Sequence, residues 1–368
     1  MSDSYVEKLL PFKSSPELLD DYIDSMGKIQ IKKLIEDLDL LAVMVSYKHN
    51  DTSFVDSPII MLTACMDRME IKQPPKTMED IKLSGQVIHA GTSSMTTLLK
   101  VQTVPTATVA PTTLLAASFT LVGVNSTTRK PINVNPLVAR SPRERRLIQA
   151  VTESKNRKKN CENVLIEAAK SPPSGHDWAH LYHLHSPNFP SDKSTVMTDA
   201  VCMSETKMQA VKWVQPQERT CYNYLFGGFM IGQALELAHM TGTAISQSSV
   251  QLKSLDRSAF LNPVPIGAML RFSSHISNVD EVPDKHTGQH NFQVCVEAEL
   301  TDWQQQERLD GSAGSMPAAR HYFTFSSDKP LPKIRPNSFD DLLLYLEGRR
   351  RQKNFSIEKT EFSNLINI

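Results

Sequence analysis

The sequence predicts an α+β protein in which one unit, a long helix followed by several antiparallel strands, occurs twice. Three observations carry this. The chain has 368 residues, too many for one ordinary core when domains run to about 100–200 residues. Two segments repeat apolar residues at three- and four-residue spacing over the length of a long helix. Each is followed by runs rich in β-branched residues and broken by Pro or Gly, as successive antiparallel strands are.

The first helix spans Ile31 to Tyr47, where Ile31, Leu34, Ile35, Leu38, Leu41, Ala42 and Val45 form the apolar stripe. PIIMLTACMDRMEI, IKLSGQVIHA, SSMTTLLKVQTV and TTLLAASFTLVGV then read as strands. From Ser141 to Lys193 the composition turns charged (RERRLIQA, ESKNRKKN) and includes SPPSG, which predicts a helical connector with a polar outer face. After Met197 come a short strand (SETKMQAVKWV), a turn-like QPQERTCYN, a second helix from about Gly228 to Thr243, and strands near Val250, Met269, Phe292 and Tyr322. That second helix is apolar nearly all round, so in each half a curved sheet is expected to wrap a central helix. The stretch from Thr301 to Ala318 reads as a solvated insertion, and LEGRRRQK after Pro336 as a solvated helix end. The expected division is residues 1–140 for an N-terminal unit with its extension, 141–196 for the connector, 197–330 for the C-terminal unit and 331–368 for the tail.

Forty basic and forty acidic residues cancel, which argues against a nucleic-acid partner or a polybasic membrane anchor and favours a small, amphiphilic substrate. Five cysteines (Cys65, Cys161, Cys202, Cys221, Cys295) are odd in number and never form C-x-x-C. They point to a reducing compartment and away from zinc or disulfide frameworks. The longest apolar stretch, Leu114 to Val124, falls short of the roughly 20 residues a transmembrane helix needs, so no membrane insertion is expected. The opening MSDSYVEKLLPF is acidic early and the first arginine is Arg68, unlike a signal or transit peptide.

Within the second helix, Glu236 is the one ionisable carboxylate. If buried and unpaired it would be costly, so it is expected either to pair across an interface or to serve acid–base chemistry. Before that helix lie Asn223 and the pair Gly227 and Gly228. The first turn of a helix leaves backbone N–H groups free, and glycines let a ligand approach them. Such donors can make an oxyanion hole, although Gly-Gly alone also serves tight helix packing. In the first helix Asp37 has Lys33 one turn before it, whereas Asp39 lies between Ile35 and Val43 in an apolar strip. Asp39 is therefore the better candidate for a perturbed general base. HDWAH, His176 to His180, has the spacing of the zinc-protease H-E-x-x-H but carries Asp for the base Glu and lies in the connector. No metal site is expected from it, nor from His183 and His185. No G-x-S-x-G elbow, P-loop or G-x-G-x-x-G fingerprint occurs.

LIEDLDLLAVMVSYKH, TACMDRMEI, IKLSGQVIHAGTSSM, INVNPLV, QPQERTCYNYLFGGFMIGQALELA and SAFLNPVPIGAMLRFSS, in that order, resemble the mitochondrial double-hotdog acyl-CoA thioesterases of the acyl-CoA thioesterase 9 type. The resemblance runs from about Asp3 to Phe325. It implies two tandem hotdog domains forming an internal pseudo-dimer, acyl-CoA bound at their seam, and hydrolysis to fatty acid and coenzyme A without a cofactor. By analogy the base falls on Asp39 and the carbonyl contacts on Asn223, Gly227 and Gly228, with Gly91, Ser93 and Ser94 of AGTSSM on the substrate. The family usually carries Arg and Glu where this chain has Thr92 and Thr96, which puts a charged CoA contact there in doubt and leaves a non-catalytic acyl-CoA sensor as the alternative. The two pseudo-symmetric sites are expected to be unequal. The other site would combine Glu236 with the bulky IQIKK start of the first helix, and so would lack an oxyanion hole. The resemblance also implies a mitochondrial location, with a cytosolic one as the alternative, and association into homo-oligomers.

Overall fold

The structure, a computed structural model, describes all residues except 53–56, 78, 106–109, 171–174, 176–199, 221, 281, 285–286, 302–314 and 368. Its elements are β1 (Val6–Leu10), α1 (Pro16–Asp20), α2 (Ile31–His49), β2 (Ile59–Ile71), β3 (Ile81–Ala90), β4 (Ser94–Thr103), β5 (Thr113–Asn125) and α3 (Pro142–Lys170). The second half contributes β6 (Ala200–Cys202), β7 (Met208–Trp213), α4 (Gly227–Ser246), β8 (Val250–Phe260), β9 (Met269–Val279), β10 (His290–Thr301), β11 (Ser315–Ser327), β12 (Lys333–Arg335) and α5 (Phe339–Asn367). Ten strands form one sheet in the order β1-β3-β4-β5-β2-β8-β11-β10-β9-β7. Each half is a central helix packed on antiparallel strands, the hotdog arrangement, and the halves are tandem copies.

The sheet is continuous because β2 and β8 pair antiparallel at the seam, with Cys65 opposite Ala259, Met66 opposite Ser258, Met69 opposite Leu255 and Glu70 opposite Ser254. Strand side chains alternate between faces, and the alternation is visible in β4. There Leu99 joins the main core with α2 and α4, while Leu98 joins a second cluster with Leu147 and Val151 of α3 and Phe362 and Ile366 of α5. Leu34, Ile35, Leu38 and Val45 on α2 and Ile231 and Ala234 on α4 are 0% exposed. Burying a Leu or Ile side chain stabilises by about 1.5–3 kcal/mol, so the two helices add an apolar layer to the β2–β8 seam that joins the halves.

An internal repeat fixes how the halves correspond. β2 carries bulges between Thr63 and Cys65 and between Met66 and Arg68; β8 carries them between Leu252 and Ser254 and between Leu255 and Arg257. Aligning the bulges superposes Asp67-Arg68 on Asp256-Arg257. Their environments match: Asp67 accepts from Thr120 Oγ1 at 2.6 Å, Asp256 from Thr324 Oγ1 at 2.8 Å.

Three expectations change. Of the stretch from Thr301 to Ala318 expected as a solvated insertion, Thr301 ends β10 and Ser315 to Ala318 belong to β11, while residues 302–314 lie outside the described residues. The strand in SETKMQAVKWV begins only at Met208, after a 3-10 turn over Met203–Thr206. LEGRRRQK is not simply a solvated face. Gly348 packs on Ser277, where a Cβ would meet backbone at 3.0 Å. Arg351 pairs with Glu347 at 2.8 Å and lies 4.1 Å over the Tyr322 ring.

Candidate active site

Asp39 lies in the middle of α2 and is 0% exposed, because the start of α4 presses directly onto it. A Cβ on Gly228 would lie 3.0 Å from Asp39 Cβ, 3.0 Å from Glu36 Cα and 3.2 Å from the Ile35 carbonyl oxygen. Only glycine permits that approach of two helix backbones. At Gly227 a Cβ would lie 3.1 Å from Asp39 Oδ2 and 3.0 Å from Phe260 Cζ.

Both carboxylate oxygens accept a hydrogen bond. The Gly228 N–H donates to Oδ2 at 2.7 Å, and Thr63 Oγ1, on β2, donates to Oδ1 at 2.7 Å. Helix α4 has Phe226 at its N-cap and no side-chain cap of its own, so Asp39 satisfies one of its open N–H groups from a neighbouring helix. The positive end of the α4 dipole also favours an anion there. Desolvation opposes both effects and wins: burial lifts the Asp39 carboxyl to about 6, against the hydrogen bonds from Thr63 and Gly228. A carboxylate titrating there is largely ionised at neutral pH yet basic enough to take a proton.

Asp37, by contrast, pairs with Lys8 at 2.7 Å and accepts from the Tyr22 hydroxyl. It is a surface anchor for β1 and the segment around α1.

The remaining candidates divide. Gly227 and Gly228 stand against Asp39, but the Gly228 N–H is engaged by the carboxylate, which narrows the expected pair of carbonyl donors. Gly227, the first residue of α4, has no acceptor within its helix for its N–H. Asn223 is exposed, in a turn closed by its N–H to Thr220 O at 3.1 Å, and its φ is +61°. Asn tolerates that left-handed backbone better than most residues, so a conformational reason stands beside the chemical one. Gly91, Ser93 and Ser94 form the β3–β4 hairpin, where the Gly91 N–H donates to Ser94 O and the Gly123 N–H to Ser93 O, each at 2.8 Å. Across the sheet, Thr63 faces Leu121 and Leu121 faces Met95. The hairpin thus begins two strand spacings, about 10 Å, from Thr63, and the structure does not bring it to the carboxylate. Thr96 meets Thr120 Oγ1 at 3.3 Å.

Of the two expectations for Glu236, the structure shows the pairing across the helix interface. The Glu236 side chain is 50% exposed and pairs with Lys32 at 2.9 Å, because α4 turns one edge to solvent there. Nor is it the twin of Asp39. Superposing the helix starts Ile31 and Gly227 places Leu235 at the position of Asp39 and Lys32 at that of Gly228. The reciprocal contacts agree: Gly228 packs on Glu36 and Gly232 on Lys32, whose Cγ would lie 2.7 Å from a Cβ at Gly232. The bulge alignment puts Leu252 at the position of Thr63. The twin location thus holds leucines for the acid and the hydroxyl, and a lysine for the glycine.

Thr63 is the participant that sequence reasoning missed. The signal was present: MDR in TACMDRMEI and LDR in KSLDRSAF align the halves and set Thr63 against an apolar counterpart. HDWAH, His183 and His185 lie outside the described residues. Among the described residues no group of His, Cys, Asp and Glu could hold a metal ion, and no helix is long and apolar enough to cross a membrane.

No protein-family model matches the chain. The mitochondrial acyl-coenzyme A thioesterase 9 of Homo sapiens is 30% identical over 363 residues, covering 97% of this chain and 78% of the relative. Its Mus musculus namesake is 30% identical over 368 residues, covering 98% of this chain and 80% of the relative. Among solved structures, an acyl-ACP thioesterase from Bacteroides thetaiotaomicron matches at 12% identity and a TM-score of 0.48, covering 88% of this chain and 98% of its own.

Proposed function

Because the chain belongs to the acyl-coenzyme A thioesterase 9 family, and so hydrolyses acyl-CoA to a free acid and coenzyme A, we propose that Asp39 is its general base and Gly227 its oxyanion donor. The observation that supports this most directly is the buried Asp39 carboxylate held between Thr63 Oγ1 and the Gly228 N–H at the start of α4. With the thioester carbonyl at the Gly227 N–H, the helix terminus polarises the C=O and stabilises the tetrahedral oxyanion. Asn223 is a second donor in this reading. Asp39 takes a proton from water as the water oxygen bonds to the carbonyl carbon. Collapse breaks the C–S bond, the proton passes to the leaving coenzyme A thiolate, and the free acid departs. Thr63 is the positioning residue: its hydroxyl fixes the carboxylate rotamer and favours the ionised form.

One working site serves the chain in this reading, since the twin location lacks all three parts. Gly91, Ser93 and Ser94 would then touch the substrate away from the reacting atoms. The same reading carries a mitochondrial location, supported by the relatives' names. It also carries homo-oligomers, for which the edge strand β7, with Val211 63% and Trp213 54% exposed, is a natural contact. The decisive experiment is thiol release from acyl-CoA by wild-type and Asp39→Asn protein, with acyl-CoA binding measured alongside. Retained binding with hydrolysis lost supports the assignment; hydrolysis near the wild-type rate overturns it. Organelle fractionation and sedimentation velocity test the location and the assembly.

A further inference from the structure

Ser258 on β8 and His321 on β11 are Cα partners across the two strands, and both are 0% exposed. Ser258 Oγ and His321 Nδ1 lie 2.6 Å apart. His321 Nε2 meets no hydrogen-bond partner among the described residues. Burial holds the imidazole down to about 3, so the ring is neutral at physiological pH. A buried polar atom without a partner is costly, and the internal repeat shows that the fold does not require one here. The bulge alignment matches Ser258 to Met69, whose partner on β5 is Ala117. The same place in the first half is therefore filled by methionine and alanine.

The polar pair stands on the side of the Asp39 site. Phe260, two residues from Ser258 on the same face of β8, has its ring against Gly227 and its centroid 6.3 Å from that of His321. Phe323 stacks on the other side at 6.2 Å. Met66, opposite Ser258 at the seam, is the next residue of the main core after Thr63 along β2. The imidazole thus lies two strand residues, about 7 Å, beyond the level of Gly227's neighbour Phe260.

We propose that Ser258 and His321 form the polar end of the acyl pocket, and that the preferred substrates are acyl-CoAs bearing a neutral hydroxyl on the acyl chain. The proposal rests on the assignment of hydrolysis to the Asp39 site. A hydroxyl suits either imidazole tautomer, because it both donates and accepts. If Ser258 donates to Nδ1, the Nε2–H donates to the ligand oxygen; if Nδ1–H donates to Ser258, Nε2 accepts from the ligand. A carboxylate does not fit, since a neutral ring offers no countercharge. The Phe260 ring, between Gly227 and His321, suits the methylenes in between.

The test compares kcat/KM, by thiol release, for acyl-CoAs of one length whose hydroxyl is walked along the chain, the plain acyl-CoA, and the terminal carboxylate. Wild-type protein should favour one hydroxylated isomer over the plain chain by about tenfold or more and disfavour the carboxylate. His321→Leu should abolish that preference, and His321→Gln, which keeps an amide at similar reach, should restore part of it. The ratio is independent of the folded fraction, and Ser258→Ala, read the same way, should weaken the preference even if His321→Leu fails to fold. Equal kcat/KM for hydroxylated and plain chains in the wild type, or a preference that survives His321→Leu or is unaltered by Ser258→Ala, overturns the proposal and leaves the Asp39 assignment standing. No thiol release from any acyl-CoA overturns both.

Discussion

Replacing Asp39 with Asn shows whether desolvation or capping dominates at this carboxylate, because the two predict opposite changes in stability. Burial lifts the carboxyl from 3.8 to about 6, so the folded chain holds this proton more tightly than the unfolded one. At ~1.4 kcal/mol per pH unit, the gap amounts to about 3 kcal/mol. The stability that the protonated carboxyl contributes is fully present below about pH 4 and is lost as pH rises through about 6. Asp39→Asn cannot ionise, and it gives up one of two accepted hydrogen bonds, at about 1 kcal/mol. The variant should therefore be more stable than wild type by about 2 kcal/mol above pH 7, with the advantage gone near pH 4.5. Its hydrolysis should fall by roughly 10²–10⁴. Asp280 is also lifted by burial to about 6, so the quantity to read is the difference between variant and wild type, in which Asp280 cancels. Urea midpoints at the two pH values and thiol release supply the data. A variant that is destabilised above pH 7, as loss of a cap would make it, and that hydrolyses within about threefold of wild type, would refute the reasoning.

Thr63→Val should lower kcat, and because the Thr63 hydrogen bond pulls the Asp39 carboxyl down, its loss should move the acid limb of the pH–rate profile to higher pH. An unmoved limb would remove Thr63 from the site. Asn223→Gly and Asn223→Ala separate backbone from side chain at φ +61°: if Asn223 holds the carbonyl, both lose activity, whereas activity kept by Gly alone would show that only the left-handed turn matters. Glu236→Gln should keep most activity, since it breaks only a half-exposed pair with Lys32, worth about 0–1 kcal/mol; loss of catalysis in the folded variant would point to the twin location. Residues 1–140 expressed alone should aggregate, because the β2 edge that pairs with β8 would be bare; a soluble fragment with cooperative unfolding would contradict the seam.

Much of the site was legible because its residues violate local rules. An aspartate inside an apolar strip and a Gly-Gly at a helix start are odd wherever they occur, and Asp39 and Gly228 prove to meet at 2.7 Å. Glu236 violates the same rule and pairs with Lys32 across the helices; that its edge of α4 is solvated was not legible, because the repeat at three and four does not say which edge a neighbour leaves open. The separation of the β3–β4 hairpin from the carboxylate was likewise illegible, since it depends on strand order rather than on any residue of AGTSSM.

The sequence by itself determined the central helix and the main strands of each half, because helical and strand periodicities are local, and bounds such as Ile81–Ala90 follow from flanking breakers. It also determined that the chain is a duplication, and that Asp39 is the exceptional acid of α2. Tertiary structure alone decided which residues meet. Thr63 reaches Asp39 because β2 lies against α2 with that hydroxyl turned to the helix. Leu235 and Lys32 fall at the places of Asp39 and Gly228 in the twin location because the two helices contact each other reciprocally, Gly228 on Glu36 and Gly232 on Lys32. His321 and Ser258 become a buried pair through the register of two strands 63 residues apart in sequence. The physical reason is common to all three: burial and hydrogen bonding across the seam are fixed by strand order and helix contact, which no local window of sequence contains.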